Sequence, residues 1–339
     1  MRKLPLVFAL FSASLPAVAA EPARVAVLGG QVFVNHGLVG VGRIPAAQRD
    51  RFGETFGSFS AFAFQPGTWR RERDGSYRGI LYGQPDRGYN GAGTTNYIPR
   101  YNRLAVTFRP ASAGAATQDQ VLLELVDSVR YAEADGRPFT SLDPVSAGTG
   151  SRPGFPSLPQ AFNGRLSLDA EGIVVNADGS VWVSDEYGPY VFRFSAEGRL
   201  LSALRPPEAL IPRRGGADSF ASNNPGAGQP APSPADPVTG RQNNQGLEGL
   251  ALSPDGKTLF TLLQSAARQD GGTGGTGPRR HTRLLAYDIT GAEPRLTGHY
   301  VLALPTFMVG TATRVAAQSE ILALNNQQIL VLARDGNGR

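Results

Sequence analysis

The sequence predicts an all-β fold, a β-propeller with six blades when complete. Three observations carry this expectation: helical periodicity is scarce, turn residues punctuate the whole chain, and one hairpin motif recurs. Glycine occurs 42 times and proline 26 times in 339 residues, which leaves few uninterrupted stretches for helices. Between them lie short segments rich in Val, Leu, Phe, Tyr and Trp, the composition of half-buried strands.

The recurring motif is an apolar strand, a tight turn and a second apolar strand that ends on polar residues. One copy runs Glu171-Gly172-Ile173-Val174-Val175, then Asp178-Gly179, then Val181-Trp182-Val183-Ser184-Asp185-Glu186. A second runs Glu248-Gly249-Leu250-Ala251-Leu252, Asp255-Gly256, then Leu259-Phe260-Thr261-Leu262-Leu263-Gln264. A third is Glu320-Ile321-Leu322-Ala323-Leu324, Asn325-Asn326, then Ile329-Leu330-Val331-Leu332 and Asp335. A degenerate copy joins Ser60-Ala61-Phe62-Ala63-Phe64 to Gly79-Ile80-Leu81-Tyr82 and Asp86. Asp-Gly between apolar runs is a hairpin signal. Further strands are expected at 190–194 with 200–204 and at 283–288 with 299–304, which completes four strands per blade.

The copies are spaced widely because insertions separate them. Residues 205–245 are rich in Pro, Gly, Ser and Asn and read as a long mobile loop; 136–166 are similar. Asp270 to Pro278 is Gly/Thr-rich but lacks the Gly-Lys-Ser/Thr ending of a phosphate loop, so it reads as a hairpin tip. The last copy lacks outer strands before Arg339. Either residues 24–34 complete that blade or the polypeptide continues, and continuation is the expectation.

Residues 1–20 read as a signal peptide, with Arg2 and Lys3 before an apolar run from Leu4 to Leu15 and small residues at Val18 and Ala20. Cleavage leaves Glu21 first and one domain, 21–339, in the periplasm or secreted. An uncleaved anchor is the alternative, but the run is short for a span, and no later stretch is long and apolar enough for a membrane helix. There is no cysteine, which excludes disulfides, thiolate nucleophiles and thiolate metal sites. The formal charge of +5 is carried almost wholly by scattered arginines, with Lys257 the sole lysine after the leader. Scattered charge points away from nucleic acid, and a monomer is expected.

The repeat also places chemistry. In a hairpin the start of the first strand and the end of the second share one edge. Glu171 therefore faces Asp185 and Glu186, Glu248 faces Gln264, Glu320 faces Asp335 and Ser60 faces Asp86. In a propeller the first strands line the axis, so these groups gather at one mouth. At about 5 Å and an effective dielectric of about 20, each like-charged pair costs roughly 3 kcal/mol. A hard divalent cation with oxygen ligands, calcium for preference, relieves that repulsion. Asp86, Glu171, Asp185, Glu186, Glu248 and Glu320 are the candidate ligands. The competing structural role for each Glu is a staple to backbone amides of the next blade. The loop from Gln84 to Arg103 leaves the same mouth, and Arg87, Asn90, Arg100 and Asn244 are the candidates for holding an anionic group. Arg87 has the competing role of pairing with Asp86.

Four segments in order carry a resemblance: Asp86-Arg87-Gly88-Tyr89-Asn90; Glu171-Gly172-Ile173 through Asp185-Glu186-Tyr187-Gly188-Pro189-Tyr190; Asn243-Asn244-Gln245-Gly246-Leu247-Glu248-Gly249-Leu250; and Ser319-Glu320-Ile321 through Leu330-Val331-Leu332. Together they resemble the family called esterase-like activity of phytase, from about Val32 to the end. The resemblance implies an exported propeller that hydrolyses esters or phosphate esters. The chain departs from the family at Ala333, where the family tends to have an acidic residue before Arg-Asp, and in lacking the C-terminal part that the family usually has.

Other hydrolase routes lack their residues. No Gly-x-Ser-x-Gly elbow occurs, and His36, His281 and His299 are far apart and out of any catalytic signature. The leading expectation is a hydrolase of small anionic phosphate or carboxylate esters, assisted by a divalent cation. Glu171, Asp185 and Glu248 are its candidate catalytic residues. The alternatives are a non-catalytic scaffold or ligand-binding propeller, and a metal-dependent lactonase.

Overall fold

Hairpins form where the sequence puts Asp-Gly between apolar runs. Gly179 and Gly256 adopt φ of 81° and 72°, open to glycine at no steric cost, and the preceding aspartates cap the turns. Asp178 Oδ1 accepts from the Ser180 amide at 2.9 Å, and Asp255 Oδ1 accepts from the Lys257 amide at 3.1 Å. The structure, a computed structural model, describes residues 24–35, 37–111, 118–146, 149–271 and 279–335. The expected leader with Glu21, His36, and most of the tip from Asp270 to Pro278 lie outside the described residues.

The fold is all-β, and its principal sheets are antiparallel meanders. The first runs Phe59–Phe64, Tyr77–Pro85, Arg100–Phe108, Val121–Arg130, with Arg70–Arg71 also on Tyr77–Pro85. The second runs Ala170–Val175, Val181–Asp185, Val191–Phe194, Leu200–Leu204. The third runs Leu247–Leu252, Thr258–Leu263, His281–Asp288, Arg295–Ala303. The fourth is the hairpin Ala317–Ala323 with Ile329–Arg334. Among the described residues, no helix is long and apolar enough to cross a membrane.

The first strands of these sheets pack beside one another in chain order. Apolar side chains fill the seams. Tyr82, Ile173 and Phe194 lie between the first and second sheets, Val174, Trp182 and Leu250 between the second and third, and Ala251, Leu262 and Ile321 between the third and fourth. Polar groups stitch the same seams. Gln84 Nε2 donates to the Glu171 carbonyl at 2.9 Å, Ser184 Oγ to the Glu248 carbonyl at 2.6 Å, and Gln318 Nε2 to the Leu262 carbonyl at 2.8 Å. Each satisfies a buried backbone acceptor that a neighbouring strand leaves open.

One alternative is set aside and one expectation changes. Residues 24–34 do not complete the last blade: Arg24–Leu28 and Gln31–Asn35 form their own two-stranded sheet. The hairpin meets the fourth sheet at its turn, where Gln328 Nε2 donates to the Leu28 carbonyl at 2.8 Å and Asn325 Nδ2 to Gln31 Oε1 at 3.1 Å. The 205–245 insertion, read as mobile, is packed down. Phe220, Ala221 and Arg241 are buried within it, and Asp143 of the other insertion clasps it. Asp143 Oδ1 accepts from the Ser222 amide at 2.6 Å and Oδ2 from the Asn224 amide at 2.8 Å. Asp143→Ala leaves both amides unpaired, at about 1–3 kcal/mol for each buried orphan. A lowered Tm with faster proteolysis inside 205–245 is the expected result, and unaltered cleavage removes the clasp.

Candidate functional site

Each first strand carries a register shift near its start: Phe59/Ala61, Ala170/Ile173, Leu247/Leu250 and Gln318/Glu320. These are β-bulges, which re-aim a side chain without ending the strand. In the second and third sheets they fall on Glu171-Gly172 and Glu248-Gly249, and in the first and fourth on Ser60 and Ser319. A Cβ on Gly172 would sit 2.6 Å from Leu250 Cβ and 2.7 Å from the Glu248 carbonyl oxygen, so only glycine lets the bulge touch the next sheet. The bulge and its glycine bring Glu171 and Glu248 together across the seam.

Two triads of carboxylates result. Asp86, Asp169 and Glu171 offer oxygens within 4.8 Å of one another, and so do Glu171, Glu186 and Glu248. Asp169, Glu171, Glu186 and Glu248 are buried, while the Asp86 side chain is 46% exposed. Burial, then neighbouring carboxylates, pushes Asp169 and Glu171 well above the usual range. Burial likewise pushes Glu186 to about 7, against the pull of Arg87, and Glu248 to about 8, with Glu186 adding to the rise. Two buried oxygens, Asp169 Oδ1 and Glu186 Oε1, have no hydrogen-bond partner.

Arg87 is the cation built into this cluster. Its Nη1 donates to Asp169 Oδ2 at 2.8 Å and to Asn244 Oδ1. With the Asn90 amide oxygen turned toward it, Nε and Nη2 donate there at 2.7 and 3.3 Å. Asn244 presents its amide from a left-handed backbone, φ 50°, which asparagine tolerates. Burial works against the guanidinium charge, but Asp169, Tyr187, Glu186 and Asp86 outweigh it and hold its pKa above the usual value. Arg87, Asn90 and Asn244 are therefore assembled as expected, with the guanidinium turned onto carboxylate and amides. Its pairing with Asp86 is looser, at 4.0 Å.

Three expected site residues are placed elsewhere or spent. Arg100 is buried, ion-paired with Asp50 Oδ2 at 2.6 Å and stacked 4.4 Å from the Tyr97 ring centre, so it holds no external anion. Asp185 is buried with its carboxylate filled by backbone: Oδ1 accepts from Asp169 and Tyr187 amides at 3.0 and 3.1 Å, and Oδ2 from Gly188 at 2.7 Å. Burial still lifts it to about 7, against those three bonds. It shapes the turn that aims Glu186, its carboxylate engaged by three backbone amides. Glu320 Oε1 accepts from the Leu250 and Ile321 amides at 3.1 and 2.8 Å, the staple between sheets, and stands outside both triads. His281 and His299 lie exposed on the third sheet, away from the cluster.

Sequence reading missed Asp169, Ser60 as a donor, and Arg241. Asp169 precedes the repeat, but Asp169-Ala170-Glu171 spaces two carboxylates by two residues, which puts them on one side of an extended chain. The Ser60 hydroxyl donates to Glu171 Oε2 and orients it. Arg241, fully buried beneath the cluster, donates to the Tyr187 carbonyl at 2.9 Å, the Gln242 carbonyl at 3.1 Å and the Ala221 carbonyl at 3.2 Å. The exposed side of Asp86 opens into a cavity of about 590 Å³ lined with Glu54, Ser58, Tyr89, Thr95, Asn96 and Tyr97.

The family described as Phytase-like, esterase-like activity of phytase, matches residues 54–339. This chain belongs to that family. The match begins at residue 54, later than the Val32 suggested by motifs alone. The phytase-like chain is also 43% identical over 333 residues to an "Uncharacterized secreted protein" of Arthroderma benhamiae. The alignment covers 91% of this chain and 65% of the relative, so the chain spans about two thirds of that protein's length.

For the phytase-like chain the staple and the triads are separable by mutation. Glu320→Ala frees two buried amides, and a loss of about 1–3 kcal/mol per amide is expected, read as a lower Tm. Cation binding at saturation should not change, because Glu320 touches neither triad. Loss of cation binding in a folded variant returns Glu320 to the ligand set.

Proposed function

We propose that this chain is an exported, divalent-cation-assisted ester hydrolase built on a β-propeller. Three meanders and a hairpin with their first strands side by side, each bulged near its start, support consecutive blades around an axis. The apolar run near the N-terminus and the secreted relative support export.

The observation that carries the hydrolase reading is the pair of carboxylate triads with two orphaned, buried oxygens. The donor set is all oxygen, which suits calcium, magnesium or manganese and not a soft metal. Glu171, with Asp169 on one side or Glu186 and Glu248 on the other, would hold the cation. When bound, it polarises the ester carbonyl or phosphoryl oxygen and lowers the pKa of water. Ser60 fixes the Glu171 rotamer, and Arg87 orients Asp169 by donating to its Oδ2. Asp86 borders both the cluster and the mouth cavity. It is placed to accept the proton of an attacking water as the water oxygen bonds to the ester carbon or phosphorus. The bond from that carbon or phosphorus to the leaving oxygen then breaks, and the proton held by Asp86 passes to the leaving alkoxide.

The mouth cavity favours uncharged esters, lactones among them, as substrate. Glu54 and Asp86 are its charged lining residues, and among the described residues no arginine or lysine lines it. Arg87 and Arg100 are both committed internally, so a polyanionic phosphate ester finds no basic clamp.

Chelation is the test. Dialysis against EDTA should lower hydrolysis of a neutral ester or lactone by at least about 100-fold, with recovery on adding calcium or manganese. Full activity in the chelator removes the cation from the mechanism. Faster turnover of phosphomonoesters than of neutral esters removes the substrate preference and leaves the cation role.

A further inference from the structure

The proposed function needs a cation; the geometry points to two. We propose that the cluster is a dinuclear centre with unequal sites that share Glu171. The outer site is Asp86, Asp169 and Glu171, and the inner site is Glu171, Glu186 and Glu248. This inference rests on the hydrolase reading's cation but concerns its number, order of filling and bridge.

Three observations converge. First, Glu171 belongs to both triads, and a carboxylate has two oxygens, one for each cation. Second, each triad contains one of the two orphaned buried oxygens: Asp169 Oδ1 in the outer and Glu186 Oε1 in the inner. On Asp169 the roles are divided. Oδ2 is taken by Arg87 at 2.8 Å, which leaves Oδ1 for a ligand. An unpaired buried carboxylate oxygen is costly, and two such atoms in separate triads are not explained by one ion.

Third, the charges balance only with two. The five carboxylates of the two triads, less the Arg87 guanidinium, leave four negative charges. Two divalent cations neutralise that, whereas one leaves two buried charges uncompensated. The next charges out, Asp185 and Arg241, are both buried and offset each other.

The sites differ in what already stands beside them. The outer triad has Arg87 on Asp169 and the half-exposed Asp86 at the mouth cavity. Its cation shares a carboxylate with a guanidinium and exchanges with solvent. The inner triad is buried; Arg87 reaches it through its charge on Glu186 without an ion-pair contact, and its ion-paired cation is the exposed Arg334, 4.0 Å from Glu248. The inner site fills first and holds tightly. The outer site fills second, faces the cavity and meets substrate. Arg87 sets the gap between them by repelling the second ion.

The experiment titrates Mn2+ into the full chain after EDTA stripping, with native mass spectrometry counting ions and electron paramagnetic resonance reporting spin coupling between them. Two Mn2+ per chain are expected, the first bound at least about tenfold more tightly, with a coupled spectrum at full loading. Asp86→Asn, at a half-exposed position that does not threaten folding, should weaken the second ion and spare the first. Glu248→Gln should weaken the first. Arg87→Gln, if it folds, should tighten the second about tenfold. Saturation at one ion, or two ions without coupling, overturns the shared centre. One ion with hydrolysis intact overturns only this inference. No Mn2+ binding overturns it together with the hydrolase reading.

Discussion

Glu171→Gln is expected to abolish ester hydrolysis and cation retention while raising the Tm of the cation-free protein. Glu171 is the one residue common to both triads, so its loss removes an anionic ligand from each. A fall in activity of at least about 100-fold is the scale for damage to a metal shell. In the stripped protein the sign reverses. Glu171 is held well above the ordinary carboxylate range by burial and by Glu248, Glu186, Asp169 and Asp86, so as an anion it is a burden to the fold. A neutral amide keeps an acceptor for Ser60 without the charge. Steady-state assays, metal content and thermal melts in chelator read the three effects. A variant with lower Tm and lower activity together is simply misfolded; one with full activity would falsify the role of Glu171.

The second large effect is on stability against pH. Burial raises Asp185, Glu186 and Glu320 to about 7 and Glu248 to about 8, from ordinary values of 3.8 for Asp and 4.5 for Glu. Asp169 and Glu171 are raised too. A carboxyl with a raised folded-state pKa binds more protons when folded than when unfolded. Its stabilisation is therefore complete below the unfolded pKa and lost as pH rises through the folded one. The chelated protein should thus grow less stable between about pH 4.5 and 8. For Glu186 alone the scale is roughly 3 kcal/mol, and the set sums to less than its parts because the groups titrate together. Saturating calcium should reverse the trend, because it competes with the protons and binds more tightly as they leave. Melts across this range, with EGTA and with calcium, test both limbs. A flat profile in EGTA would show that the cluster carries no strain.

Much of this was readable from residue order. Alternating apolar runs around Asp178-Gly179 and Asp255-Gly256 form the expected hairpins, and Glu171 and Glu248 meet as the repeat implies. What could not be read depends on contacts distant in sequence. Arg100 looked like a loop cation, but it opens the strand Arg100–Phe108 and pairs with Asp50, a partner that no local pattern names. Asp185 and Glu186 are adjacent acids, and sequence does not say which one the turn consumes. In the fold Asp185 binds three backbone amides and Glu186 faces the cluster. Asp169 was passed over because it stands just outside the repeat, although its spacing from Glu171 was visible.

The bulged strand starts have a mechanical consequence. Asp86 follows a strand of the first sheet, Asp169 leads into the second and Glu171 belongs to it, and Glu248 belongs to the third. Under the proposed dinuclear centre, ions at this junction would act as a keystone, gripping three neighbours that otherwise touch through side chains. Parting any two sheets would spill the ions, and withdrawing the ions would loosen all three at once. On that proposal, resistance to unfolding and readiness to react are set by one and the same joint.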